Sequence, residues 1–252
     1  MCGRMNITDN EGIRFLMDIV GLSSWPEPGP RFNVSPTQPL DVLVRRQPIS
    51  DDATEATEAI PANHTYQHRE MHWGLIPPWA REGQFKRPLI NARSETVREK
   101  PSFRHLIGPN RCLVPVTGFY EWHRDGNTKR PFYIYPAEGR AMLFGALYQE
   151  VDDNLQVTLL TTAANDAMNK IHHRMPVIIR PGDVAAWMSD DAAADEKQPT
   201  TDTRERIDSL MAPVDDDWLS MHEVSSYVSN ARNTGQECSQ PLEDSAQKGL
   251  DF

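Results

Sequence analysis

The chain has 252 residues, 38% hydrophobic and 25% charged, which suits a globular protein that buries a core of its own. No stretch reaches the roughly 18 consecutive apolar residues of a membrane span, and the start, MCGRMNITDNEG, holds no apolar run of signal-peptide length. The net charge of −10 is uneven: residues 187–252 carry 15 acidic and 5 basic side chains, whereas residues 81–131 carry 11 basic and 5 acidic, so an acidic protein still has material for a local positive groove.

In chain order, Thr8 or Asp9 caps a helix in which Ile13, Leu16, Met17 and Val20 recur at helical spacing before Gly21 ends it. A proline-rich loop, WPEPGPRF, leads to the strand-like PLDVLVRR, with RFNVSP read as a loop. Residues 50–64 are polar and acidic, another loop. Further strands are expected in HREMHWGLI, RCLVPVTGFYEW, RPFYIYP, AMLFGAL, NLQVTLLTT and RMPVIIR. A short helix is expected over 165–171, and a second over PGDVAAWM, where Pro181 favours the first turn. Residues 189–203 read as an acidic surface excursion and 243–252 as a short tail. Together these patterns predict one α+β domain over 1–252, a β-rich, curled or barrel-like sheet with peripheral helices.

Position 2 carries the sharpest chemistry. Removal of Met1 before a small residue leaves Cys2 with a free 1,2-aminothiol. Its amine titrates near about 7.7–8.0 and its thiol near about 8.5, so both reach nucleophilic forms at neutral pH. Such a pair condenses with an aldehyde to an imine and then to a five-membered thiazolidine, and the ring-opened sugar of an abasic nucleotide is a biological aldehyde of that kind. In GFYEWH, alternation along a strand sets Glu121 opposite Tyr120 and Trp122, where an inward carboxylate suits proton transfer. In IHHRMP, His172, His173 and Arg174 lie between a short helix and a strand. INARSE sets Asn91 and Arg93 on one side of a strand; Asn orients an amine or carbonyl, and Arg suits phosphate. Trp73 and Trp79 in WGLIPPWA offer surfaces for base stacking, and Asn33 and Pro36 in RFNVSP are placed to line the same cavity.

Each of these residues alone also fits a structural role: Cys2 as chance, Glu121 as half of an ion pair, the tryptophans as core. Adjacent histidines without a distant third ligand do not make a metal site, and the three cysteines, Cys2, Cys112 and Cys238, are widely spaced without a CxxC pair. No metal or cofactor is expected.

In combination the motifs resemble the SRAP family, the SOS response-associated peptidases, also described as abasic site processing proteins. The ordered blocks are MCGR (1–4), RFNVSP (31–36), WGLIPPW (73–79), INARSE (90–95), RCLVPVTGFYEW (111–122), PFYIY (131–135), TTAAN (161–165), IHHRMPVII (171–179) and VSNARN with ECSQPL (228–242). The resemblance implies a barrel-like β fold with a groove for single-stranded DNA. It further implies covalent crosslinking to abasic sites through the N-terminal cysteine, shielding the lesion. Cys2, Asn91, Glu121 and His172 match the catalytic set; Arg4, Arg93 and Arg174 match phosphate contacts, and Thr162 matches a pocket residue. One departure is Ala80, where some members carry a second bulky apolar residue; this bears on preference for single–double strand junctions. Expected partners are single-stranded DNA containing abasic sites, with no membrane, a monomeric state and a cytoplasmic (nucleoid-associated) or nuclear location. Two other readings stay open: a thiol autopeptidase or N-terminal-nucleophile hydrolase, and a non-covalent reader of modified cytosine.

Overall fold

The computed structural model describes residues 2–22, 24–46, 65–80, 87–189 and 201–242. The polar loop at 50–64, most of the acidic excursion at 189–203 and the tail at 243–252 lie outside the described residues. The strands are β1 (Met5–Ile7), β2 (Arg31–Val34), β3 (Pro39–Arg45), β4 (Tyr66–Trp73) and β5 (Asn91–Arg93), then β6 (Arg111–Val116), β7 (Gly118–Asp125) and β8 (Thr128–Pro136). They continue as β9 (Met142–Val151), β10 (Asn154–Ala163), β11 (Arg174–Pro176), β12 (Ile178–Ile179) and β13 (Leu219–Glu223). Among the described residues the α-helices are α1 (Asn10–Ile19), α2 (Asp166–Asn169), α3 (Val184–Trp187) and α4 (Thr201–Leu210).

Two sheets result. One has the order β13-β8-β7-β1-β2; the other runs β11-β10-β4-β3-β6-β9-β12, with β5 beside β10. Because β9 pairs with β10 as well as with β6, the larger sheet curls back on itself. The expected β-rich, curled architecture with peripheral helices is therefore the observed one. No helix among the described residues is long and apolar enough to cross a membrane.

Local signals account for several elements. Asp9 caps α1, its carboxylate accepting from Gly12 N at 2.9 Å, and Ile13, Leu16 and Met17 face inward. Gly21, at φ +80°, ends the helix in the left-handed conformation that glycine tolerates best. Gly126, at φ +56°, and Asn127 form the tight turn between β7 and β8, flanked by the paired Asp125 and Thr128.

Elsewhere tertiary pairing overrides the local pattern. RFNVSP supplies a strand, β2, because its backbone pairs with β1. RCLVPVTGFYEW divides at Thr117 into β6 and β7, which belong to different sheets. At that division the Thr117 hydroxyl accepts the backbone N–H groups of Thr8 and Asp9, both at 3.0 Å, which ties the crossing to the start of α1. RMPVIIR likewise divides, β11 pairing with β10 and β12 with β9. The helix at PGDVAAWM is a 3-10 turn followed by the single turn of α3.

Gly118 opens β7 because a side chain there has no room: a Cβ would lie 2.5 Å from Tyr133 Cε2 and 2.6 Å from its hydroxyl oxygen. Gly118→Ala is expected to destabilise the fold by about 1–3 kcal/mol, the usual cost of overpacking a filled site. Urea unfolding measures this; an unchanged midpoint would show that the Tyr133 ring moves aside freely.

Candidate functional site

The site forms where the N-terminal segment lies along β7. Met5 pairs with Phe119 and Asn6 with Gly118, and Tyr120 N donates to Arg4 O at 3.1 Å. This register carries Cys2 past the end of β1 to a position beside Glu121. On β7, Tyr120 and Trp122 pack to one side with Tyr133 and Val228, which leaves Glu121 on the other, as alternation along the strand requires.

Cys2 is buried, and its carbonyl accepts from Asn91 Nδ2 at 2.8 Å. Asn91 is held in place by the parallel pairing of β5 with β10. Its side-chain oxygen is buried and has no hydrogen-bond partner among the described residues. Burial pushes the Cys2 thiol far above its ordinary pKa, and the negative charge of Glu121 adds to the shift. The thiol is thus held protonated at neutral pH.

His172 enters where α2 ends. Asn165 caps that helix by accepting from Met168 N at 2.9 Å, and His172 N donates to Met168 O at 2.9 Å. Its Nδ1 stands 4.0 Å from Glu121 Oε1 and accepts the Arg174 backbone N–H at 3.0 Å. The same nitrogen lies 3.2 Å from Arg174 O, so it accepts from the backbone N–H in one tautomer and donates to the carbonyl in the other or when the ring is charged. Burial lowers the imidazole pKa, partly opposed by the carboxylate of Glu121. Four chemically active groups, remote in sequence, therefore converge: thiol, amide, carboxylate and neutral imidazole.

Residues 1–231 match the sequence pattern of the SRAP family, described as SOS response associated peptidase. The chain belongs to the SRAP family. It is 31% identical over 244 residues to the abasic site processing protein YoqW of Bacillus subtilis, covering 94% of this chain and 98% of that protein. Identity is 29% to the abasic site processing protein YedK of Escherichia coli, covering 86% of this chain and 87% of that protein. To the abasic site processing protein HMCES of Gallus gallus it is 30%, covering 85% and 67%. A solved protein of Bacteroides thetaiotaomicron superposes with a TM-score of 0.68 at 23% identity, over 96% of this chain and all of that one, a likeness of fold.

Within this SRAP fold the remaining sequence-derived residues divide sharply. Arg93 is exposed at the end of β5, and Trp79 is 51% exposed beside Ile76 at 43%. Thr162 is buried on β10, opposite Met175 of β11. Pro36 is half-buried in the turn after β2, next to Thr37 at φ 74°, whose N–H donates to Trp73 O at 2.8 Å. Trp73 differs from the stacking platform expected of it. Its ring is fully buried and its indole N–H donates to Ile90 O at 3.0 Å, so it offers no face to a base in this structure.

The arginines also differ from the simple expectation. Arg174 makes a two-pronged contact with Glu95 at 2.5 and 3.0 Å and donates to Thr161 O at 2.6 Å. The Glu95 carboxyl is held below its usual range chiefly by that hydrogen bonding. Arg4 donates from Nη1 to Asn33 Oδ1 and Val228 O, both at 2.8 Å, and Asn33 is itself buried. In the basic stretch at 81–131, three of the described side chains are already engaged within the protein. Arg98 pairs with Asp208, Arg130 with Glu223, and Arg111 is buried with donations to four backbone carbonyls. Glu95 was not singled out in the sequence, since nothing in SE marks a partner 79 residues away.

Two expectations follow. In an NMR titration the His172 ring should titrate below about 6.5, and Glu121→Gln should lower its midpoint further by removing the charge that favours the imidazolium; a rise on that substitution would contradict the geometry. Trp73→Ala should cost about 3–5 kcal/mol of stability, whereas Trp79→Ala should change it by no more than about 0.5 kcal/mol, both read by urea unfolding.

Proposed function

We propose that this chain captures abasic sites in single-stranded DNA by forming a covalent crosslink through Cys2 once Met1 is removed, shielding the lesion from strand cleavage. The convergence of Cys2, Asn91, Glu121 and His172 carries this reading, and the family's abasic site processing relatives support it. All four groups come from one chain, so the proposal needs only a monomer.

The order of steps follows from the electrostatics. Because the thiol is kept protonated, the freed α-amine attacks the sugar aldehyde first. The buried, unpartnered oxygen of Asn91 is available to accept from that amine and orient it. The carbinolamine loses water to give an imine, with Glu121 moving protons. The Cys2 S–H then adds across the C=N bond, sulfur to carbon and proton to nitrogen, closing a thiazolidine. One water is released and no redox change occurs. Before these steps, the imidazolium form of His172, which the Glu121 carboxylate favours, gives a proton to the sugar ring oxygen as the anomeric hydroxyl loses one, opening the ring to the aldehyde and leaving a neutral imidazole. Exposed Arg93 and Trp79 supply a phosphate contact and a stacking face for the strand.

The test uses a uracil-containing oligonucleotide treated with uracil glycosylase. The mature protein should give a band that survives denaturation and is lost in Cys2→Ala or when an extra residue precedes Cys2. A crosslink that persists in Cys2→Ala would sink the proposal. A denaturation-resistant crosslink from protein whose mass retains Met1 would remove the amine from it.

A further inference from the structure

Strand β1 is only three residues long, and Cys2 lies beyond its end, so contacts added to the sheet pairing help to hold the nucleophile in place. Asn91 secures the Cys2 carbonyl from one side. On the other side, Arg4 and Asn33 meet a segment more than 190 residues downstream. We propose that Arg4 and Asn33 are positioning residues that fasten the N-terminus to the Val228–Asn233 segment, so that this late piece of chain sets where Cys2 stands. The inference rests on reading Cys2 as the nucleophile.

The contacts form a closed set. Arg4 Nη1 donates to Asn33 Oδ1 and Val228 O at 2.8 Å, and Nη2 reaches Ser229 O at 3.4 Å. The guanidinium also lies over the Trp122 ring, 5.9 Å from its centre, and Trp122 Nε1 donates to Ser229 Oγ at 3.1 Å. Asn33 Nδ2 lies within hydrogen-bonding reach of the carbonyls of Val228, Asn230 and Asn233 at 3.1, 3.0 and 2.8 Å. Asn33 and Val228 are almost wholly buried. A phosphate that drew Arg4 away would leave the buried Asn33 oxygen without its donor and the Val228 carbonyl with Asn33 Nδ2 alone. The knot is therefore built to hold Arg4 rather than to lend it, and Arg4 is joined through two peptide bonds to the reacting residue. Trp122 flanks Glu121 on β7, so the same knot braces the strand that carries the carboxylate.

The test separates positioning from phosphate contact. Mature wild-type protein, Arg4→Lys, Asn33→Ala and Arg93→Ala are titrated against an abasic single-stranded oligonucleotide, and saturating crosslinking rate, half-saturating concentration and salt dependence are measured. Rates are normalised to the folded fraction measured at the assay temperature, so a loss of stability alone moves nothing. For Arg4→Lys, which keeps the charge and loses the planar fork, and for Asn33→Ala, the saturating rate should fall by between about ten- and a hundredfold. Half-saturation should stay within about twofold of wild type and the salt slope should be unchanged. Arg93→Ala should do the reverse, weakening binding and flattening the salt slope by about 0.7. If Arg4→Lys and Asn33→Ala instead behave like Arg93→Ala, or react at the wild-type saturating rate, the positioning role is overturned. A wild-type protein that forms no crosslink at all overturns the reading of Cys2 itself, and this inference with it.

Discussion

Met5 of β1 is gripped from two sides, paired with Val34 of β2 and with Phe119 of β7. An N-terminal segment is ordinarily the loosest part of a chain. Here it is an interior strand of the smaller sheet, and its register with β7 sets which residue stands beside Glu121. A slip of one residue would turn Cys2 to the opposite face, because side chains alternate along a strand. The chemistry of position 2 therefore depends on backbone hydrogen bonds made several residues later.

Burial then shapes that chemistry in two directions. It raises the thiol of Cys2 and lowers the imidazole of His172, and the carboxylate of Glu121 stands near both. A buried site at neutral pH thus holds a protonated thiol and a neutral imidazole. The thiol keeps the proton that S–H addition delivers, while the imidazole is a base whose charged form the nearby Glu121 carboxylate favours. A thiolate nucleophile of the kind seen at electropositive sites would need the opposite environment.

The arginines show how one residue type divides by context. Arg111 is committed to backbone carbonyls, Arg174 to Glu95, and Arg4 to Asn33 and the Val228 carbonyl, whereas Arg93 is exposed. Guanidinium is suited to each of these tasks because its donors form a fixed planar fork. Counting basic residues along 81–131 suggested a groove. What decides the surface charge is which of those side chains already face a carbonyl or a carboxylate.

The sequence by itself determined the inventory of reactive groups, the period of α1 with a cap at Thr8 or Asp9 and its Gly21 stop, and the alternation that turns Glu121 away from Tyr120 and Trp122. These are local properties, written in neighbouring residues and in the spacing of apolar side chains. Only the tertiary structure decided that RCLVPVTGFYEW divides at Thr117 between two sheets, that RFNVSP is a strand, and that Trp73 is core while Trp79 is exposed. It alone brought Glu95 to Arg174 across 79 residues and Val228 to Arg4 across 224. Such outcomes turn on which surfaces meet when the sheets curl and pack, and a linear pattern of polarity carries no information about partners that distant.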